Sequence, residues 1–496
     1  MAEGPPLSLS LELEFDPAKT RLLLRRFAPL EPRARPLSCR WHDTAEAELA
    51  ARGLALLERR QGGIALWRLE RLPAAGNGAW PCGTPAPAVA EAADRTQLGH
   101  LPQAPLLART RFRGRTRALL AGEGPLAPRL TLLQGRLAAE PGERAVTRLQ
   151  LAGSPPAVTG LALDLAQELG AAVASSSLSA EACALAGGAV PPLPLGAPEL
   201  PPRLSVGAAF AFVCAHLARV LLHYAPLAAN QDGTEPVHQI RVAVRRLRLA
   251  VALFRRAVAC PELDAVKAGL RTLARTLGPA RDWDVFVTET GEAVAAAFPD
   301  DAAVARLLAA AARRRDACYA ELRRVLADAE FRRLGIALAT VAAARPWEAA
   351  AADGDATRQA DALAAELHAF AAQALSRRLR HLTEQGDEIA ALPNETLHAI
   401  RLRAKRLRYG VEMLAPLYPH RHARRYIRRL ANLQDWLGHL NDGNVAAALM
   451  AELQGSGGRG FAAGVVCGFV AAGAGDARVE IARCWQKFHR LQPFWT

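Results

Sequence analysis

VHQIRVAVRRLRLAVALFRR, Val237 to Arg256, is the stretch that decides the fold. At 100° per residue Ile240, Val244, Leu247, Val251 and Phe254 fall on one stripe, the apolar face of a core helix. His238, Arg241, Arg245, Arg248, Arg255 and Arg256 fall on the adjacent face with no acid among them. Such a face repels itself unless water, a counter-ion or an anionic ligand neutralises it. The stretch then recurs: LHAIRLRAKRLRYGVEML, Leu397 to Leu414, sets His398, Arg401, Lys405, Arg406 and Arg408 at matching spacing, 160 residues on. The match continues without a gap. Leu270, Leu273, Leu277 and Gly278 correspond to Leu430, Leu433, Leu437 and Gly438, and Asp282, Asp284 and Val285 to Asp442, Asn444 and Val445. The duplication predicts two pseudo-symmetric helical bundles, each giving one basic helix to a shared surface.

Working outward, helical period and Ala/Leu/Arg content predict helices near 204–228, 235–258, 262–279, 282–297, 301–326 and 328–344. A second set falls near 357–385, 394–416, 420–439, 442–454, 460–473 and 476–490. The two repeats cover about 203–345 and 357–496. Residues 1–170 have another texture. LSLSLELEF and VTRLQLAG alternate with period two, IALWRLERL and RLTLLQGRL read as further strands, and LALDLAQELG reads as a closing helix. Residues 171–202 are rich in Ser, Ala and Gly, with Pro191, Pro192, Pro194, Pro198, Pro201 and Pro202, and read as a linker. The expected class is α+β and multidomain: an antiparallel, barrel-like β domain, then an all-α domain with pseudo-two-fold symmetry.

Composition narrows the partners. The 496 residues carry a net charge of +14, which calls for an anionic partner: nucleic acid, an acidic membrane surface or polyphosphate. All but Lys19, Lys267, Lys405 and Lys487 of the 62 basic residues are arginine, whose fork grips phosphate in two places. Aromatic residues make up 5%, which counts against a surface that stacks bases. The eight cysteines, Cys82 among them, are dispersed without a CxxC pair, so packed thiols in a reducing cytoplasm are expected and a zinc site is not. The apolar run Phe461 to Ala474 is short and glycine-rich for a spanning helix. No P-loop, GxGxxG or GxSxG motif is present.

The repeated H-x-x-R-x-x-x-[RK]-R-x-R resembles the CHAD domain over about 203–496, including the closing FHRLQPFW. The resemblance implies an all-helical fold that binds inorganic polyphosphate along a basic channel between the repeats, at polyphosphate granules. Carried over by motif, the binding residues are His238, Arg241, Arg245, Arg246 and Arg248, then His398, Arg401, Lys405, Arg406 and Arg408. The N-terminal region is similar to a CYTH domain, the triphosphate tunnel fold, through LELEFDP, WHDT and LLERR…ALWRLER. It departs from that pattern where Asp16 stands for the lysine of the opening strand and where Arg148 and Gln150 stand for glutamates. Glu12 and Glu14 survive. A metal-dependent triphosphatase needs several carboxylates around its cation, so this domain reads as a degenerate, inactive tunnel, without metal or cofactor.

The bland alternatives stay beside these readings. Arg246 and Arg406 lie a quarter turn off the basic stripe and fit helix anchors as well as ligand contacts. His238 and His398 follow Pro236 and Pro393 and fit caps as well as anion donors. Asp282, Asp284 and Asp442, after Gly278 and Gly438, are expected at helix corners as caps. Arg255, Lys267, Arg271, Arg275, Arg281, Arg424 and Arg428 are further candidates for the basic surface. The rivals to polyphosphate binding are a triphosphatase or polyphosphatase in the tunnel domain and a nucleic-acid binder.

Overall fold

The computed structural model describes residues 9–61, 64–72, 89–90, 102–122, 124, 127–140, 142–188, 193, 195–201, 203–230, 233–352, 357–384, 388–454, 460–473 and 477–495. Cys82, Pro191, Pro192, Pro194, Pro202 and Ala474 lie outside them, as do the first two residues of LSLSLELEF.

Nine strands form one antiparallel sheet: β1 (Leu9–Glu14), β2 (Arg35–Asp43), β3 (Leu54–Gln61), β4 (Ile64–Arg71), β5 (Val89–Ala90), β6 (Leu107–Leu120), β7 (Arg129–Ala139), β8 (Gly142–Gly153) and β9 (Ala172–Val173). Their spatial order is β5-β4-β3-β2-β6-β7-β8-β1-β9, a curled half-barrel among the described residues. β1 pairs with β8 so that Glu12 faces Gln150 and Glu14 faces Arg148. The short helices α1 (Thr20–Arg26) and α2 (Glu48–Ala51) sit in its connections, and α3 (Pro155–Glu168) follows β8. α4 (Leu178–Leu185) lies against the sheet, where Trp41 Nε1 donates to Ser179 Oγ at 2.8 Å and Thr110 Oγ1 to the Ala182 carbonyl at 2.7 Å.

Residues 171–188 therefore belong to the β domain, and this corrects the linker boundary. Ser177 caps α4 by accepting from the Ala180 amide, and β9 pairs with β1. The Ser/Ala texture that reads as linker is that of a short capped helix with small, buried residues. Beyond it, residues 195–201 form no helix or strand.

The helical part comprises α5 (Val206–Asn230), α6 (Thr234–Phe254), α7 (Pro261–Val285), α8 (Glu292–Ala297), α9 (Ala302–Ala327), α10 (Ala329–Ala344), α11 (Pro346–Ala352) and α12 (Thr357–Ala364). α13 (Leu367–Thr383), α14 (Asn394–Leu414), α15 (His420–Gln454), α16 (Phe461–Gly473) and α17 (Ala477–His489) follow. The stripe of α6 is buried as its period requires, with Ile240, Leu247 and Phe254 fully enclosed. α14 packs on α6, and α10 docks the helical part on α3, β9 and β1, so one continuous core joins sheet and helices. By length and apolar composition alone, Val206–Asn230 and Phe461–His489 pass the test for a membrane span. In the first, 78% of the most apolar window is buried inside the protein.

Two of the expected helix corners do not exist. α7 runs through Gly278 and Pro279 and passes by a π-helical turn (Phe286–Gly291) into α8, and α15 runs through Gly438. Leu273, Leu277, Ala280 and Trp283 carry one buried stripe across Gly278, and Leu430, Leu433 and Leu437 do the same up to Gly438. Tertiary burial outweighs the weak helix preference of glycine. Asp282, Asp284 and Asp442 are thus helix-interior residues and not caps.

Candidate polyanion-binding site

A cavity of 730 Å³ opens between the C-terminal half of α6 and the helices α13 and α14. Its lining includes Arg245, Arg248, Arg255, Arg377, Arg378, Arg403, Lys405 and Arg406, with His381, Tyr409 and apolar stems between them, and, among the described residues, no carboxylate. The Arg245 guanidinium lies over the Tyr409 ring at 4.3 Å from its centroid, a cation–π contact between the repeats. Arg245 Nε is buried without a hydrogen-bond partner. Buried donors are ordinarily satisfied, so an unused one beside a cavity suits an incoming acceptor.

At the meeting of α6 and α14 four of the motif cations converge. Burial first, and then Arg401, Arg245 and Arg241, pull the Lys405 ammonium down to about 8. Burial also lowers Arg245 and Arg401. Arg241 Nη1 stands 3.5 Å from Asp282 Oδ1, and Asp442 acts on Arg401 at the equivalent place in the second repeat. The Arg401 guanidinium rests on Gly438: a Cβ there would lie 2.6 Å from its Nη1, so this helix glycine makes room for the arginine. His238 lies near Arg281, Arg241 and Arg245; its pKa is lowered first by burial and then by Arg281, which keeps the ring neutral and able to donate one hydrogen bond.

The structure separates the motif residues into groups. Arg245, Arg248, Arg255, Lys405 and Arg406 line the cavity. Arg241 and Arg401 stand close enough to Lys405 to act on its charge, and Arg281 acts on His238. Arg246 and Arg408 both turn to Glu412, at 3.0 Å and 2.8 Å: Arg246 ties α6 to α14, and Arg408 holds the carboxylate from within α14. The first repeat has Ala252 at the place of Glu412, so the tie has no symmetric partner. His398 is exposed in the first turn of α14. Lys267, Arg271, Arg275, Arg424 and Arg428 do not line the cavity, and Lys267 pairs with Asp264 at 2.7 Å.

Sequence reasoning missed Arg378, Arg403, His381 and Tyr409, and passed over Arg377. Arg378, held near 10 by burial and by Arg377, Arg406 and Arg255, is the most enclosed of the α13 cations. The signal was RRLRH in α13, which precedes the duplicated span and so escapes a criterion built on duplication. Arg403 sits inside the motif, but its equivalent is Ala243.

The Lys405 environment gives a pH test. Affinity for a polyanion is expected to fall as pH rises from about 7 to about 9.5, with proton uptake on binding near pH 9, because an anion restores the charge that burial removes. Calorimetry in buffers of different ionisation heat reads the uptake, and K405R is expected to abolish it. The ligand-free fold runs the other way. A lysine depressed from 10.5 to about 8 makes the fold gain stability as pH rises through that window.

In the β domain a metal does not fit. Arg148, 2% exposed, occupies the centre of three carboxylates: Nη2 lies 2.5 Å from Glu181 Oε1, Nη1 3.3 Å from Glu14 Oε2 and Nε 3.6 Å from Glu12 Oε1. Burial raises the pKa of both Glu12 and Glu14, and Arg148 draws each back down. The guanidinium stands where a cation would need open ligands, and no metal-ligating cluster occurs among the described residues.

No curated protein matches the chain. Among solved structures, the CHAD domain from the plant Ricinus communis matches at 24% identity and a TM-score of 0.49, over 60% of this chain and 97% of that one. PptA from Streptomyces chartreusis matches at 18% and 0.41, over 57% and 100%. A putative adenylyl cyclase from Hippeastrum, described as having a dominant triphosphatase activity, matches at 16% and 0.28, over 37% and 98%. The CHAD domain family model matches residues 211–451. The helical region of this chain, with its duplicated basic helices α6 and α14, carries a CHAD domain.

Proposed function

We propose that the chain binds linear inorganic polyphosphate in the cavity between α6, α13 and α14, and that this binding brings it to polyphosphate granules. The observation that carries the reading is a cavity whose described lining residues include eight cationic side chains and no carboxylate. Seven of the eight are arginines, whose forks hold phosphate oxygens in pairs, while the lysine acts as a point charge. Such a site grips a repeating anion without reading a sequence, and its affinity comes from counter-ion release. The cations Arg241, Arg281 and Arg401, with neutral His238 as a donor, extend the path beyond the cavity. Arg246 contributes indirectly, by holding α6 to α14 through Glu412, which Arg408 braces from within α14.

A salt series tests it. With about 0.7 log units per neutralised phosphate, six to ten contacts give a log–log slope of roughly −4 to −7. A slope near zero, or no binding in low salt, would refute the reading. Single-stranded DNA at equal phosphate is expected to compete poorly, since Tyr409, the one Phe, Tyr or Trp among the described lining residues, is already covered by Arg245. A fluorescent fusion that ignores polyphosphate granules would refute the localisation alone.

A further inference from the structure

β6 reads LARTRFRGRTRALL, and its arginines alternate. Thr110, Phe112 and Thr116 are buried on the face that meets α4, which sets Arg111, Arg113, Arg115 and Arg117 on the opposite face. The first three are exposed. Rungs two residues apart stand about 6.8 Å from one another, so the four span about 20 Å. The neighbouring strands widen the row: Arg40 of β2 is paired directly with Arg111, and Arg136 of β7 with Arg113. β2, β6 and β7 carry no carboxylate on this face. Among the described residues two acids approach from the strands beyond and are already engaged, Glu58 with Arg60, His42 and, at 3.8 Å, the flanking Arg40, and Glu143 with Arg136. Arg111, Arg113, Arg115 and Arg117 have no ion pair among the described residues. Arg109 stands apart, since its guanidinium donates to the carbonyls of Thr44 and Ala186.

A row of like charges on one strand face repels itself. A flexible linear anion laid along β6 relieves that repulsion rung by rung. We infer that this arginine ladder is a second polyanion-binding surface, which takes stretches of polyphosphate chain that extend beyond the cavity of the helical domain; the inference rests on the reading proposed above. The rung spacing exceeds one phosphate repeat of an extended polyphosphate, so successive arginines meet non-adjacent phosphates of one chain. Base-stacking is not on offer. The described aromatic residues of the β domain, Phe15, Phe27, Trp41, Trp67 and Phe112, are all buried. The ladder thus suits a chain of phosphates without bases. Two sites on one molecule would raise the apparent affinity for long chains without changing that for short ones.

The test uses the full chain and two probes, long-chain polyphosphate and tripolyphosphate. R111S/R113S/R115S is expected to weaken long-chain binding at least tenfold and to make its salt slope shallower by about 2, three contacts at 0.7 each. Tripolyphosphate binding should be unchanged, and R111K/R113K/R115K, which keeps the charges and controls for folding, should bind like the parent. Unchanged long-chain affinity and slope in the serine variant would overturn the ladder. So would a larger loss for single-stranded DNA of equal phosphate, which would make the surface a nucleic-acid site. The cavity reading fails separately, if a variant stripped of Arg241, Arg245, Arg401 and Lys405 still binds tripolyphosphate. In that same background the serine substitutions are expected to remove the residual long-chain binding.

Discussion

Replacing Arg241, Arg245, Arg401 and Lys405 together by alanine is expected to lower polyphosphate affinity at least a thousandfold at low salt. Each cation removed forfeits a charge-assisted contact of about 1.5–3 kcal/mol, and four such losses far exceed that threshold. The four were chosen because they come from both repeats and act on one another. The fold should survive, because the substitutions leave the buried stripes of α6 and α14 intact. Removing mutually repelling cations is expected to leave the melting temperature of the ligand-free protein level or raised, although Arg245 gives up its seat on Tyr409. Titration together with circular dichroism checks both halves. Retained tripolyphosphate binding with an unchanged spectrum would put the site elsewhere.

Arg148→Ala is expected to cost about 3–5 kcal/mol of stability, the usual penalty for removing one partner of a buried ion pair. Three carboxylates would remain with no counter-charge of comparable proximity: Arg144 lies 3.8 Å from Glu181, and its side chain is 58% exposed. The sign of the pH effect follows. Without Arg148 the folded-state pKa values of Glu12 and Glu14 rise further above their unfolded values. Stability is then fully present below about 4.5 and is lost as pH climbs through the raised values. Wild-type protein should show a flatter profile between pH 5 and about 7. Manganese is expected to raise the melting temperature of the variant and not of the wild type, because only the variant has a vacancy for a cation among the three carboxylates. A wild-type protein that takes up manganese at Glu12 and Glu14 would contradict this account of the domain. Arg148→Lys, which keeps a charge but loses the fork, should fall between the two and guards against a variant too unstable to measure.

How far the site could be read in advance differs from residue to residue. The stripe Ile240 to Phe254 and the convergence of Arg241 and Arg245 with Arg401 and Lys405 were legible, because helical period fixes which residues share a face and the duplication says which faces meet. Arg246 and Arg406 hold equivalent positions off the stripe, yet one is tied to Glu412 and the other lines the cavity. Their difference comes from a single non-equivalent neighbour, Glu412 against Ala252, and a contact between helices cannot be read from the period of either. Gly278 and Gly438 suggested corners because glycine is a weak helix former. Burial on both sides kept the helices whole, and at Gly438 the missing side chain is filled by Arg401.

The amino-acid sequence by itself determined the two helical repeats, the basic faces of α6 and α14 and the antiparallel strands before them. These follow from local periodicity and from the residue at a given position. Only the tertiary structure decided that α13 supplies Arg377 and Arg378 to the cavity, that α4 belongs to the sheet and that Arg148 stands among Glu12, Glu14 and Glu181. Each of these depends on contacts between segments far apart in the chain. Burial and charge pairing select among the faces that periodicity leaves available, and those choices exist only once the chain is packed.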